Sequence, residues 1–540
     1  MMIKDDTDLW WKRGVIYQIY PRSFMDTNHD GIGDLKGIIS KLDYLNDGTT
    51  NSLGVDAIWV SPIYKSPMKD FGYDISDYRD IDPIFGDMAD FKMLIKEAHK
   101  RNIRVIMDLV VNHTSDKHPW FMESKKSKDN PKRDWYIWHG RRPNNWVAVF
   151  ELRNAWWHDK DTGEYYLGTF TKHQPELNWR NSEVKKAIFN MIEYWLDLGV
   201  DGFRMDVINY LIKDDLLRNN PWKLSFNPID VQEHIYDRNR PETHDICKEI
   251  RKITDKYEDR MLVGEIYTNS VKEAVAYHGT GNDELHLAFN FSFLFQNWSA
   301  RGFYQNIKEY YNSLPKDAWP NFTLSNHDQP RHHYRYRAGK NTDARARVAA
   351  AMLMTLRGTP FIYYGEEIGM TNGKIIRKAI QDPLGKRGWP FIKGRDAERT
   401  PMQWDDTLNA GFSDTSTWLP VNQDYREKNV ANQLKQEGSL INFYKRLIWL
   451  RKGSNALSVG SIEFLEKAPE QVLFYWRKYE HEQVIVILNF SDQHQILDGS
   501  LIGRVQIILG THRWSGEEIT LTAANKFKIY PYEVLLINPA

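Results

Sequence analysis

Residues 202–207 read Gly-Phe-Arg-Met-Asp-Val. The run is apolar enough for a buried strand, yet it carries a guanidinium and a carboxylate two positions apart. Side chains alternate along a strand, so Arg204 and Asp206 share a face. Buried charges persist only when paired or hydrogen-bonded. A carboxylate beside a fixed guanidinium is expected to have a lowered pKa and to stay ionised at neutral pH. Held in place and partly desolvated, it can act as a nucleophile. Taken alone, the pair reads first as a structural ion pair, since such networks also perturb pKa. Other positions reverse that reading. Asp108, His113, Glu265, His327 and Asp328 also fall at or just after the ends of apolar runs. A second carboxylic acid beside a nucleophile can move a proton to and from a leaving oxygen.

Eight apolar segments could position these groups, at residues 15–21, 57–62, 103–109, 202–207, 261–265, 286–291, 322–328 and 360–367. Helical periodicity occupies residues 35–45, 90–101, 182–196, 345–356 and 440–451. In the stretch that Ser182 opens as N-cap, Ile188, Met191, Ile192, Trp195 and Leu196 recur at helical spacing. Strands alternating with helices mean parallel βα units. Eight of them predict an α/β fold, a (β/α)8 barrel with its chemistry at the C-terminal ends of the strands. The alternation breaks over residues 114–181, rich in Trp, Pro, Asn and charge, which predicts an irregular subdomain inserted after the third strand. From about Asn455 short alternating strands predict an antiparallel β-sandwich. The expected domains are the barrel (1–113 with 182–454), the insert (114–181) and the sandwich (455–540).

The 540 residues are too many for a single core. Lys and Arg number 72, as do Asp and Glu, so the net charge is zero. That argues against nucleic acid or an anionic membrane as the main partner. Cys247 is the only cysteine, which excludes an internal disulfide and allows a reducing compartment. The charged N-terminus carries no secretion signal, and no run of about 20 apolar residues occurs. A soluble, cytoplasmic protein is expected. The 20 Trp, 28 Tyr and 24 Phe offer faces that can stack on sugar rings, although packing explains most of them.

After the first strand, oxygen-bearing side chains recur at every second position: Asp26, Asn28 and Asp30, then Gly31, the Ile32 carbonyl and Asp34. This is the first part of an EF-hand-like loop. Its twelfth position is Gly37, so the bidentate Glu is missing and a standard EF-hand is excluded. An oxygen-ligated Ca2+, or alternatively Mg2+, is expected there; a metal-free Asx-turn loop is the plain alternative.

With these pieces in place the chain resembles the α-amylase family of glycoside hydrolases (family 13), and within it the exo-acting α-glucosidases and oligo-1,6-glucosidases. The matching motifs are Asp108-Leu109-Val110-Val111-Asn112-His113, Gly202-Phe203-Arg204-Met205-Asp206, Gly264-Glu265 and Asn326-His327-Asp328. Gly31-Ile32-Gly33-Asp34-Leu35, Gly72-Tyr73-Asp74 and Arg399-Thr400-Pro401-Met402-Gln403-Trp404 also match, in the family's order over nearly the whole chain. The resemblance implies Asp206 as nucleophile, Glu265 as general acid/base and Asp328 as transition-state stabiliser. It implies that Arg204, His113 and His327 contact the sugar and that Tyr73 stacks on its ring. Asp74 and Arg399 would close the pocket around the non-reducing end. Phe170 and Gln174 would reach the substrate from the insert, and the Asp26–Asp34 loop would be the structural calcium loop. A Val at position 207 is associated in the family with α-1,6 cleavage.

The expected activity is release of α-glucose from short α-glucosides by double displacement with retention, leaning to α-1,6 linkages. Carboxyl groups about 5–5.5 Å apart suit that course. An α-1,4-preferring α-glucosidase, or an α-glucosyl transferase using the same covalent intermediate (transglycosylation), is the alternative. A non-catalytic binding protein of this fold is the remote one. After Glu265 stands Ile266-Tyr267-Thr268-Asn269 rather than the Met-Pro-Gly common in oligo-1,6-glucosidases. After Asp328 stands Gln329-Pro330-Arg331-His332-His333-Tyr334 rather than the Arg-Leu-Asp-Arg-Asp loop of sucrose isomerases.

Overall fold

Eight short, largely apolar runs pair in parallel: β1 (Ile16–Ile19), β2 (Ala57–Val60), β3 (Arg104–Leu109), β4 (Gly202–Met205), β5 (Met261–Gly264), β6 (Leu287–Ala288), β7 (Asn321–Thr323) and β8 (Thr359–Tyr363). The hydrogen-bonded order is β6-β5-β4-β3-β2-β1-β8-β7. The computed structural model describes residues 9–225, 231–268, 270–466, 468–499, 503–520 and 526–539. Nearly every strand residue is buried, as expected for parallel strands covered on both faces. β4 and β5 approach closely because residue 202 is Gly: a Cβ there would stand 2.4 Å from the Met261 carbonyl oxygen. β6 is only two residues long. The gap beside it is bridged by Tyr310, whose hydroxyl lies 3.1 Å from the Ala288 carbonyl and 3.2 Å from Asn321 Oδ1 on β7. The sheet is thus the near-closed barrel expected.

The helix Ser182–Asp197 buries Val184, Ile188, Met191, Ile192, Trp195 and Leu196, one stripe of an amphipathic helix. Its N-cap is Asn181, one residue before the Ser182 expected, because the Asn181 side chain accepts from the Glu183 amide. Between β3 and this helix lies a small three-stranded antiparallel sheet, Trp138–His139, Tyr165–Leu167 and Trp156–His158. Its aromatic core includes fully buried Trp146 and Trp156. The insert is tied to the barrel by a buried ion pair. Lys213 Nζ, after β4, lies 2.5 Å from Glu176 Oε2. The same ammonium donates to Asn112 Oδ1 at 3.2 Å.

After the helix Leu440–Lys452 the chain builds a six-stranded antiparallel sheet and a separate pair, Gln495–Asp498 with Lys526–Ile529. Leu497, Phe527 and Ile529 of the pair pack on Phe474, Ile485 and Leu535, so the module is an unequal sandwich. Two buried guanidiniums join it to the barrel, with no carboxylate in ion-pair contact among the described residues. Arg451 donates to the carbonyls of Met354, Leu356, Gly358, Leu457 and Ser458 at 2.7–3.2 Å. Arg477 donates to the Thr355, Leu457 and Gly460 carbonyls at 2.5–2.9 Å. Among the described residues no helix is long and apolar enough to cross a membrane.

Candidate active site

The C-terminal ends of β3, β4 and β5 are laced together by one side chain. Arg204 Nη1 donates to Asp108 Oδ1 and to Asp206 Oδ1, both at 2.6 Å. Its Nη2 donates to Glu265 Oε2. Trp59 on β2 donates to the other oxygen of Asp108 at 2.8 Å. Asp206 and Glu265 line a cavity of about 420 Å3, together with Asp328, Tyr73, His113, Phe170, Gln174 and Val207. The expected catalytic residues therefore converge; five of the side chains expected to bind substrate line the same cavity, and Arg204 and His327 lie directly beneath it.

Val207 holds a left-handed backbone, φ 37° and ψ 44°. That is an outlier for a β-branched residue, and such strain concentrates at functional sites. It turns the Val207 amide toward Glu265 Oε2, at 3.3 Å.

The His327 ring is held at both nitrogens. Gln18 Nε2 donates to its Nδ1 at 2.8 Å, which leaves the ring proton on Nε2. Nε2 faces the Tyr73 hydroxyl at 2.7 Å. Burial pushes His327 well below the ordinary histidine value and His113 down to about 3, so both are neutral at pH 7. Asn112 Nδ2 donates to His113 Nδ1 at 3.1 Å, and His113 Nε2 faces the Tyr73 carbonyl at 3.1 Å. Gln174 Nε2 reaches the same ring at 3.1 Å and Asp70 at 3.1 Å.

Asp74 does not close the pocket. It is fully buried beneath its loop, where it accepts from Ser66 Oγ and from the Lys69 and Asp70 amides at 2.9–3.0 Å. Asp70 occupies the wall instead. The loop turns back on itself through Phe71 and Gly72, both at positive φ, so the carboxylate three residues before Tyr73 faces the cavity. Its partner is Arg395, which donates to Asp70 at 2.6 Å and to Asp328 at 3.1 Å. Arg399 stands behind Asp328, donating to its Oδ1 at 2.6 Å and to the His327 carbonyl at 2.7 Å. Sequence reasoning missed Asp70 and Arg395. The available signals were a second Asp beside Tyr73 and a second Arg four residues before Arg399.

These charges divide the three carboxylates. Burial tends to raise Asp328, but the positive charge around it, Arg395 and Arg399 above all, outweighs burial and holds the group well below the carboxylate range. Burial pushes Glu265 and Asp206 up; Arg204 opposes both, while Glu265 and Asp108 add to the rise of Asp206. The sequence reading expected Arg204 alone to keep Asp206 low. Its pull is present, but desolvation is larger. Each carboxyl disfavours ionisation of the other, so the pair loses its protons in succession rather than independently.

In the loop after β1, Asp26 accepts from the Asn28, His29 and Gly31 amides and from Ser413 Oγ at 2.6–3.1 Å. Asp34 accepts from the Thr27 amide and hydroxyl and the Gly37 amide, each at 2.7 Å. Exposed Asn28 and Asp30 bond to each other at 3.2 Å. Among the described residues no three His, Cys, Asp or Glu are gathered closely enough to hold a metal ion. The oxygen donors on alternate residues suit a hard cation, but the carboxylates face amides.

Residues 18–460 match the family model described as Alpha amylase, catalytic domain, and residues 462–534 that of Maltogenic Amylase, C-terminal domain. The chain is 43% identical to an oligo-1,6-glucosidase of Parageobacillus thermoglucosidasius, over 90% of this chain and 91% of that one. It is 41% identical to a probable alpha-glucosidase of Rhizobium meliloti, with 91% of each covered. Among solved structures, an alpha-glucosyl transfer enzyme superposes with TM-score 0.90 at 37% identity, covering 98% of this chain and 99% of that one. The isomaltulose synthase of Protaminobacter rubrum gives TM-score 0.87 at 34% identity, with the same coverage.

Proposed function

This chain belongs to the α-amylase family of glycoside hydrolases, and from that premise we propose that it is a retaining, exo-acting α-glucosidase of short α-glucosides that leans to α-1,6 linkages. The observation that carries the reading is the guanidinium of Arg204, which aims Asp206 and Glu265 into one cavity. With one proton between them, Asp206 attacks the anomeric carbon while Glu265 protonates the leaving oxygen. Glu265 then takes a proton from water, and the oxygen of that water displaces Asp206. Asp328, kept ionised by its arginines, stabilises positive charge on the sugar as the bond breaks. Asp70 and Arg395 close the inner end on the terminal sugar, which supports exo action.

The linkage preference rests on Val207. Its methyls stand beside the leaving-group path, and an α-1,6 aglycone on its extra exocyclic carbon can swing clear of them. The sugar-cleaving names of the relatives, oligo-1,6-glucosidase among them, support this. One methyl-sized contact is worth about 1–3 kcal/mol, so preference rather than exclusion is expected. Isomaltose should be cleaved better than maltose, both giving α-glucose by NMR, and Val207→Thr should move the ratio toward maltose. A wild type that prefers maltose, or an unmoved ratio, removes the linkage assignment. Inverted product removes the mechanism.

Transfer of the glucosyl group to an acceptor is the second reading, favoured by the likeness to the alpha-glucosyl transfer enzyme. We also propose that the Asp26–Asp34 loop takes one structural Ca2+, or Mg2+. Asp26, Asn28, Asp30, the Ile32 carbonyl and Asp34 would hold it, with Asn28 and Asp30 drawn inward. It would supply no chemistry, since none of these residues lines the cavity. A cytoplasmic location fits the single, buried Cys247.

A further inference from the structure

On the flank of the barrel lies a further cavity, of about 640 Å3, between the helix Thr342–Thr355 and the turn that leads into the helix Leu440–Lys452. It shares no lining residue with the catalytic cavity. Its size is that of a small-molecule site. Among the described residues, Arg347, Arg426, Lys428 and Lys435 line it as cations, against the carboxylates of Asp343 and Glu427. The chain as a whole is neutral, so this positive excess is local.

The two acids do not neutralise these bases. Asp343 is engaged by Lys428 at 2.7 Å and by His333 at 2.9 Å. Among the described residues no carboxylate comes within 4 Å of Arg347, Arg426 or Lys435. Arg347 donates to the Gly438 carbonyl at 2.6 Å, and Arg426 reaches the Tyr425 hydroxyl at 3.4 Å. Burial draws Arg347 below the ordinary guanidinium value, so an anion placed beside it would relieve a desolvated charge. The backbone adds a field of the same sign. The helix Leu440–Lys452 is 13 residues long and begins at this cavity, which its N-cap Ser439 and first residue Leu440 both line. The Leu440 amide donates to no acceptor among the described residues. Helix N-termini draw anions through such amides and through the aligned peptide dipoles. Guanidiniums, an ammonium and helix amides facing one space are the donor set that phosphate oxygens take.

We infer that this cavity is a binding site for a phosphate group, free or carried by a sugar-sized molecule. Half-buried Arg347 anchors it, and exposed Arg426 and Lys435 close on it from the rim. The site does not depend on the α-glucosidase reading, because none of its residues touches the catalytic cavity.

The test is calorimetric titration of the full chain with inorganic phosphate and with glucose 6-phosphate, each with and without excess glucose. One phosphate group should bind per chain, and glucose should not displace it. Tighter binding of glucose 6-phosphate identifies the occupant as a phosphorylated sugar, and equal binding identifies it as free phosphate; either outcome supports the site. The double variant Arg426→Gln/Lys435→Gln alters two exposed side chains that the fold does not need. It should weaken binding about tenfold or more, the scale of a lost hydrogen bond to a charged group. Its kcat/KM for isomaltose should stay within about twofold of the wild type. Failure of both phosphates to bind, an affinity unmoved in the double variant, or displacement by glucose, which would place the phosphate in the catalytic cavity, overturns the inference. None of these results bears on the α-glucosidase reading, which isomaltose cleavage tests by itself.

Discussion

Arg204 serves two carboxylates that must work in opposite protonation states. Asp206 and Glu265 are both pushed up by burial, so the first proton lost from the pair creates the nucleophile and the second loss removes the acid. As pH rises, activity should therefore appear and then vanish. The kcat/KM profile should be bell-shaped, with both limbs above the range of ordinary exposed carboxylates. Glu265→Gln should abolish the basic limb and recover part of its lost rate with an activated aryl leaving group. Asp206→Asn should cut turnover by several orders of magnitude with every donor while the melting temperature holds. A tenth of wild-type activity in Asp206→Asn, or a single-limbed wild-type profile, would contradict the assignment. The catalytic residues were legible because each sits at the end of an apolar run. Asp70 was not: it and Asp74 flank Tyr73 in sequence, and only the positive-φ turn at Phe71 and Gly72 decides which faces the sugar.

At the level of elements, the insert is held where it works by Lys213 and Glu176, both buried. Lys213→Met would leave Glu176 charged and unpaired, a change that costs about 3–5 kcal/mol. A lowered melting temperature is expected, with most of it recovered in the double variant Lys213→Met/Glu176→Met. No recovery would mean that Lys213 acts through Asn112 or packing rather than the ion pair. The loop after β1 makes a separate prediction. If it takes Ca2+, chelation should lower the melting temperature and excess Ca2+ restore it, because a ligand bound only to the native state stabilises it by mass action. An unchanged melting temperature, with no metal by elemental analysis, would retire the calcium loop. Strands and long helices were readable from period and flanking punctuation. The Lys213–Glu176 contact was not, since it joins positions 37 residues apart across a region without periodic pattern.

On the scale of the whole molecule, barrel and sandwich meet across the two buried guanidiniums. Burial draws Arg451 down to about 9 and Arg477 to about 10, yet both stay protonated at neutral pH, served by carbonyls alone among the described residues. Arg451 lies in the last long helix and Arg477 in the sandwich, and both donate to Leu457 between them. A chain ending at residue 454 would strip Arg451 of its Leu457 and Ser458 partners and bare the apolar face beneath. It should accumulate as aggregate rather than as active enzyme, and soluble, active protein from that truncation would refute this role. The change of texture near residue 455 was visible in the sequence as a shift to short alternating strands. That the border is a shared electrostatic joint was not, because carbonyls carry no signature in sequence. The two domains are consequently heritable only together: recombination that exchanged the C-terminal module of such an enzyme would have to carry an arginine, a turn of helix and the helix-end and loop carbonyls that serve both guanidiniums across the junction at once. Lineages that drift on one side of it constrain what the other side can become.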